Sequence, residues 1–183
     1  VNRFAAECRA AVSGDRLVGH AAVFGVLADL PNHYEELARS AFDKRLDDDV
    51  RALVNHDPNL LLGRTKSGTL KLGVDDEGLH FEIDKLPDTT YGRDLREMLD
   101  RGDLDGMSFG FIPGEKEWAR APDGRRIQRH TSLELLLDIS PVTFPAYEGT
   151  GVALRAMQWM GAPAVDRRSQ LIRIRHTTRL EVR

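Results

Sequence analysis

Leu70-Lys71-Leu72-Gly73-Val74-Asp75-Asp76-Glu77-Gly78-Leu79-His80-Phe81-Glu82-Ile83 is the stretch that decides the fold class. Leu70, Leu72 and Val74 alternate with other residues, Asp75 to Gly78 supply a turn, and Leu79, Phe81 and Ile83 alternate again. Successive side chains on a strand point to opposite sides, so this pattern predicts a β-hairpin with one buried face. Upstream, a strand is expected over Leu17 to Leu27, entered by a turn at Gly14-Asp15. Leu37, Ala41 and Phe42 suggest a short helical stretch that ends in the acidic run Asp47-Asp48-Asp49. Val50 to Asn55 reads as a short buried strand closed by Pro58.

Downstream, Tyr91, Leu95, Met98 and Leu99 recur at helical spacing. Asp88, Thr89 and Thr90 are candidate caps before them, and Gly102 is the stop. Met107, Phe109 and Phe111 line one face of a strand, with Ser108 and Gly110 on the other. A later strand places Leu133, Leu135, Leu137 and Ile139 on one face and Glu134, Leu136, Asp138 and Ser140 opposite. Pro122-Asp123-Gly124 marks a loop between the two. Many short strands and two helices predict a mainly β chain, a β-rich α+β barrel or sandwich with peripheral helices. A doubly wound parallel sheet would need more alternating helices.

Composition sets the outer bounds. The chain has 183 residues, 41% apolar and 30% charged, enough for one core plus a tail. Its net charge of −3 argues against a general nucleic-acid binder. No membrane span or secretion leader is evident, and the single Cys8 cannot form an internal disulfide, so a cytoplasmic protein is expected. Past residue 154 the composition shifts. Residues 155–183 hold seven arginines against Asp166 and Glu181, which suggests either an added element, a basic arm that docks on something acidic, or a solvated end.

Three residues have the chemistry of serine hydrolysis, which needs a hydroxyl, an imidazole to take its proton and a group to orient the imidazole. His56 ends a strand in Asn55-His56-Asp57-Pro58, Ser108 lies between glycines in Gly106-Met107-Ser108-Phe109-Gly110, and Asp138 lies opposite an apolar stripe. Singly, each also fits a plain structural role: a turn histidine, a bulge serine, a solvent-facing aspartate. Gly106 to Gly110 matches the G-x-S-x-G nucleophile elbow of small-molecule esterases. That motif needs a helix after the serine and the order Ser, acid, His, whereas here a strand continues and the order is His, Ser, Asp. The remaining histidines show no metal-binding spacing, so neither metal nor cofactor is expected.

These residues fall within an ordered series. Gly19-His20-Ala21-Ala22-Val23-Phe24, Leu53-Val54-Asn55-His56-Asp57, Leu62-Gly63-Arg64, Thr69-Leu70-Lys71-Leu72 and Asp76-Glu77-Gly78-Leu79 come first. Arg101-Gly102-Asp103, Gly106 to Phe111 and Leu137-Asp138-Ile139-Ser140-Pro141-Val142-Thr143-Phe144-Pro145-Ala146-Tyr147 complete it. Over residues 15–155 the series resembles the caudoviral prohead proteases, the capsid-maturation serine proteases of tailed phages. The resemblance implies a single β-barrel with peripheral helices, like that of the herpesvirus assemblins. It implies a protease domain over residues 1–154 and a basic tail over 155–183 that targets the enzyme or is trimmed by self-cleavage. His56 then falls on the family's base, Ser108 on its nucleophile and Asp138 on its acid, where relatives commonly have Glu; Asp57 competes for that last role. The implied substrates are the scaffold region of the major capsid protein and the enzyme itself, a homodimer inside the immature capsid in the host cytoplasm, with no nucleic-acid or membrane partner. A catalytically silent capsid-assembly scaffold protein is the alternative. An oxyanion hole is required, and backbone N–H groups from Phe144 to Tyr147 are candidate donors.

Overall fold

A computed structural model of the chain describes residues 2–6, 10–13, 15–30 and 32–144. Cys8, Gly14, the stretch 145–147 and the basic tail 155–183 lie outside the described residues, and so does the boundary drawn at residue 154.

Thirteen strands, one α-helix and one 3₁₀ turn make up the described chain. The strands are β1 (Asn2–Ala6), β2 (Ala10–Ser13), β3 (Arg16–Val23), β4 (Ala28–Asp29), β5 (Tyr34–Leu37), β6 (Arg51–Val54) and β7 (Asp57–Arg64), followed by β8 (Lys71–Val74), β9 (Gly78–Ile83), β10 (Gly106–Pro113), β11 (Lys116–Arg120), β12 (Arg126–His130) and β13 (Leu133–Val142). They pair in three sheets with the orders β1-β10-β13-β6-β7, β11-β12-β5-β4 and β2-β3-β9-β8. The mainly β expectation holds. Among the described residues the pairings form three open sheets, and no closed barrel is found.

The predicted hairpin is β8–β9, with Leu72 opposite Phe81 and Val74 opposite Leu79. The predicted helix is α1 (Thr90–Arg101). Thr89 caps its start by accepting the Gly92 N–H, and Gly102 ends it at φ +73°, where a residue without Cβ meets no steric penalty. Leu95 is fully buried and Tyr91, Met98 and Leu99 pack against the same core.

Four expectations need correction. The first strand stops at Val23, because the chain bends at Phe24 and Gly25, the latter at φ +69°. The helical stretch through Leu37 is instead β5, paired in parallel with β12, followed by a single 3₁₀ turn over Arg39–Phe42. Here a long-range partner overrides a weak local pattern, and buried Glu35 receives a 3.0 Å hydrogen bond from Gln128. Pro58 does not end regular structure but lies within β7, at the sheet edge where a missing N–H is tolerated. Finally, the leucine stripe of β13 does not alternate cleanly. Gly110 pairs with Asp138 and Phe111 with Leu136, so Leu137 is an extra, bulged residue. The bulge turns Leu136 into the core beside Ile139 and leaves Leu135 and Leu137 half-buried.

The core lies beneath β10. Phe109 stacks on Phe111 at 5.1 Å between ring centres and meets Phe42 edge-on at 5.8 Å. Leu17, Leu79, Phe81 and Ile83 of the β3–β9 sheet complete the same cluster. Burying aromatic and branched side chains this way stabilises the fold by about 1.5–3 kcal/mol each. It also fixes the register that carries the other face of β10.

Candidate active site

That other face is polar. The antiparallel register sets Ser108 opposite Ser140 and Gly110 opposite Asp138. Paired residues point to the same side of a sheet, so two neighbouring strands bring a serine, a carboxylate and a second serine together. Ser140 and Ser108 are buried, at 0% and 2% exposure.

The imidazole arrives from a turn. β6 and β7 are joined by Asn55 and His56 alone, and both have positive φ, +53° and +59°. Two-residue hairpin loops favour this geometry because its twist matches that of the flanking strands, but Asn-Gly is the usual occupant. Holding histidine there costs on the order of 1 kcal/mol, so the surrounding structure must impose it. The end of β13 does so. The Asn55 N–H donates to the Pro141 carbonyl at 2.9 Å, and the Thr143 N–H donates to Asn55 Oδ1 at 2.9 Å. The Asn55 side-chain amide donates to Thr143 Oγ1 at 3.3 Å, and the His56 N–H donates to Ser140 Oγ at 3.2 Å.

So held, His56 places Nε2 2.9 Å from Ser108 Oγ and Nδ1 2.5 Å from Asp138 Oδ1. Asp138 Oδ1 also accepts the Ser140 hydroxyl at 3.0 Å. The three candidate side chains therefore meet, and the competing Asp57 does not join them. Its Oδ1 accepts the Asn59 N–H and side-chain amide, each at 2.9 Å, and closes a local turn at the start of β7. A carboxylate only accepts, so the imidazole Nδ1 carries the proton and Nε2 is left to accept from Ser108. An alcohol, an imidazole and a carboxylate in this order can generate an activated oxygen nucleophile.

β10 runs on through Pro113, so no helix follows Ser108 and the nucleophile-elbow reading of Gly106 to Gly110 is excluded. Among the described residues no group of three or more His, Cys, Asp or Glu could hold a metal ion, and no helix is long and apolar enough to cross a membrane. Of the stretch proposed for oxyanion donors only Phe144 is described, half-exposed just past β13. Sequence reasoning missed the turn latch of Asn55, Ser140 and Thr143. Its signal was partly present: Ser140 follows Asp138 by two positions and so shares its face.

No solved structure matches the chain. The "Prohead protease" of Enterobacteria phage HK97 is 32% identical over 82 residues, which is 45% of this chain and 35% of that protein. The match thus spans about a third of the relative's length. The family described as caudovirus prohead serine protease matches over residues 5–162, from β1 past the end of β13 and across all three meeting side chains. With most of its length inside that match, the chain belongs to the caudovirus prohead serine protease family.

Proposed function

We propose that the chain is a phage prohead maturation serine endopeptidase that cleaves the scaffold region of the capsid protein, and itself, during capsid assembly. The observation that carries this reading is the imidazole of His56 within hydrogen-bond reach of Ser108 on one side and Asp138 on the other. Family membership supports the substrate class and a place of action inside the immature capsid. An assemblin-like barrel and a homodimer belong to the same reading, which the family resemblance suggests.

In this mechanism His56 Nε2 takes the Ser108 proton as Oγ attacks a peptide carbonyl. The tetrahedral intermediate collapses, and the imidazolium returns its proton to the departing amine. Water, deprotonated by the same nitrogen, then hydrolyses the acyl-enzyme and frees Ser108. Asp138 stays ionised throughout, holds the imidazole tautomer and stabilises the imidazolium. Backbone N–H groups past β13 supply the oxyanion hole, where one donor is worth about 2.7–4 kcal/mol.

The test is Ser108→Ala, in the full chain, incubated with the phage's own capsid protein. Wild type releases the scaffold fragment; the variant melts like wild type and releases none. Processing that survives in the variant overturns the nucleophile assignment. A wild-type chain that neither processes capsid protein nor reacts with a fluorophosphonate makes the silent scaffold protein the better reading.

A further inference from the structure

We infer that Ser140 is a positioning residue of the active site, acting through Asp138 and His56 rather than on substrate; this rests on the proteolytic reading above. Its hydroxyl is fully buried and has two partners whose roles leave no freedom. The His56 N–H can only donate, so Ser140 Oγ accepts it at 3.2 Å. The ionised Asp138 carboxylate can only accept, so the Ser140 hydroxyl proton points to Oδ1 at 3.0 Å.

Asp138 Oδ1 is also the atom that His56 Nδ1 reaches at 2.5 Å. A closed ring results: the His56 backbone donates to Ser140, Ser140 donates to Oδ1, and the His56 side chain donates to the same oxygen. One hydroxyl thereby ties the carboxylate to the backbone of the residue whose ring it orients. It also anchors His56 at φ +59°, a conformation a β-carbon disfavours. With two donors on Oδ1, that oxygen is held in the position from which it fixes the Nδ1–H tautomer. The Ser140 position follows from the register, opposite Ser108, so one pair of strands presents both nucleophile and clamp.

The experiment measures phosphonylation of Ser108 by an alkyl fluorophosphonate in the full chain. Ser108 Oγ displaces fluoride at phosphorus and His56 takes the proton, so the saturating rate reports the imidazole's alignment without a known cleavage site. Ser140→Ala is expected to lower that rate about 100-fold, the loss typical of a misplacement near 1 Å, with half-saturating probe concentration unchanged. The low-field proton resonance of the His56 Nδ1–H···Asp138 bond should shift upfield or vanish in the same variant. A Ser140 with only a structural role would lower the melting temperature yet leave rate and resonance at wild-type values, and that result overturns the inference. Should Ser140→Ala fail to fold, Ser140→Cys keeps the size with a weaker donor; an unchanged rate there overturns it equally. If wild type itself does not react, the proteolytic reading fails first. If wild type and Ser140→Ala react alike, only the role of Ser140 falls.

Discussion

Two of the tight turns that connect neighbouring antiparallel strands are held in different ways. The turn between β8 and β9 is closed by its own residues, and contacts from Phe24, His20 and Arg39 add to it. Asp75 Oδ1 accepts the N–H groups of Glu77 and Gly78 at 2.8 and 2.9 Å, and the Asp75 N–H donates to the Gly78 carbonyl. The turn between β6 and β7 is held from outside, by Ser140, Pro141 and Thr143, with partners 84 and 88 positions away along the chain. The first turn uses the residues that turns favour. The second keeps a histidine at positive φ, and the packed end of β13 holds it there. A turn that only reverses the chain can rely on local chemistry. One that aims an imidazole at two other side chains must be fixed to the element that carries them.

The largest expected effect separates the two carboxylates near the externally held turn. Asp138→Asn should lower turnover about 10⁴-fold, because an amide in that place can stabilise the wrong imidazole tautomer. Asp57→Asn should change turnover by less than threefold or so, since Asp57 serves only its own turn with Asn59. Scaffold-cleavage rates of both purified variants test this, and the reverse ranking would show that the orienting acid is Asp57.

Next comes the latch itself. Asn55→Ala removes the acceptor for the Thr143 N–H and the amide that reaches its hydroxyl, and puts alanine where asparagine better tolerates φ +53°. The expected loss is about 1–3 kcal/mol of stability, with turnover down roughly tenfold or more as His56 loosens. Denaturant melts and cleavage rates together check it. If both stay at wild-type values, the turn holds its shape without β13 and the contrast drawn here dissolves.

The same contrast explains what could be read from the residues alone. The β8–β9 hairpin and α1 were legible because their causes are local: alternation of Leu72, Val74, Leu79 and Phe81 about Asp75 to Gly78, and a helical stripe between Thr89 and Gly102. His56, Ser108 and Asp138 were legible as chemistry and by family resemblance, and alternation put Ser108 and Asp138 on the polar faces of their strands. What stayed hidden depends on distant partners. Tyr34 to Leu37 has no strand period of its own and becomes a strand by pairing with β12. The Leu137 bulge rotates Leu136 into the core, and the Leu136 N–H donates to Asp48, a residue of the acidic run that reads as a mere helix end. Asp49 beside it pairs with the Arg64 guanidinium, which holds that carboxyl down to about 2. A two-residue turn without glycine gives only a weak sign of reversal at Asn55, the turn role open to His56 beside Asp57-Pro58.

The smallest effect belongs to the β8–β9 turn and depends on pH. The hydrogen bond from His20, together with those from the Gly78 and Glu77 N–H groups, pulls the Asp75 carboxyl down from its ordinary 3.8 to about 2. A carboxyl whose pKa is lower in the folded state adds stability above its unfolded value and loses it as pH falls through the folded one. Asp75→Asn keeps an oxygen for the two backbone donors and removes the charge together with the oxygen that accepts from His20. The wild-type melting temperature should therefore exceed the variant's at pH about 4, and the margin should shrink as pH approaches about 2. Asp75 is open to solvent, so screening keeps the margin small and added salt should reduce it further. Scaffold cleavage at neutral pH should be unaffected, because the side chains of the β8–β9 turn bond to His20 and Arg39, away from the three meeting side chains. A margin independent of pH would mean the backbone bonds alone hold this turn, and a loss of cleavage in Asp75→Asn would join the two turns that the structure keeps apart.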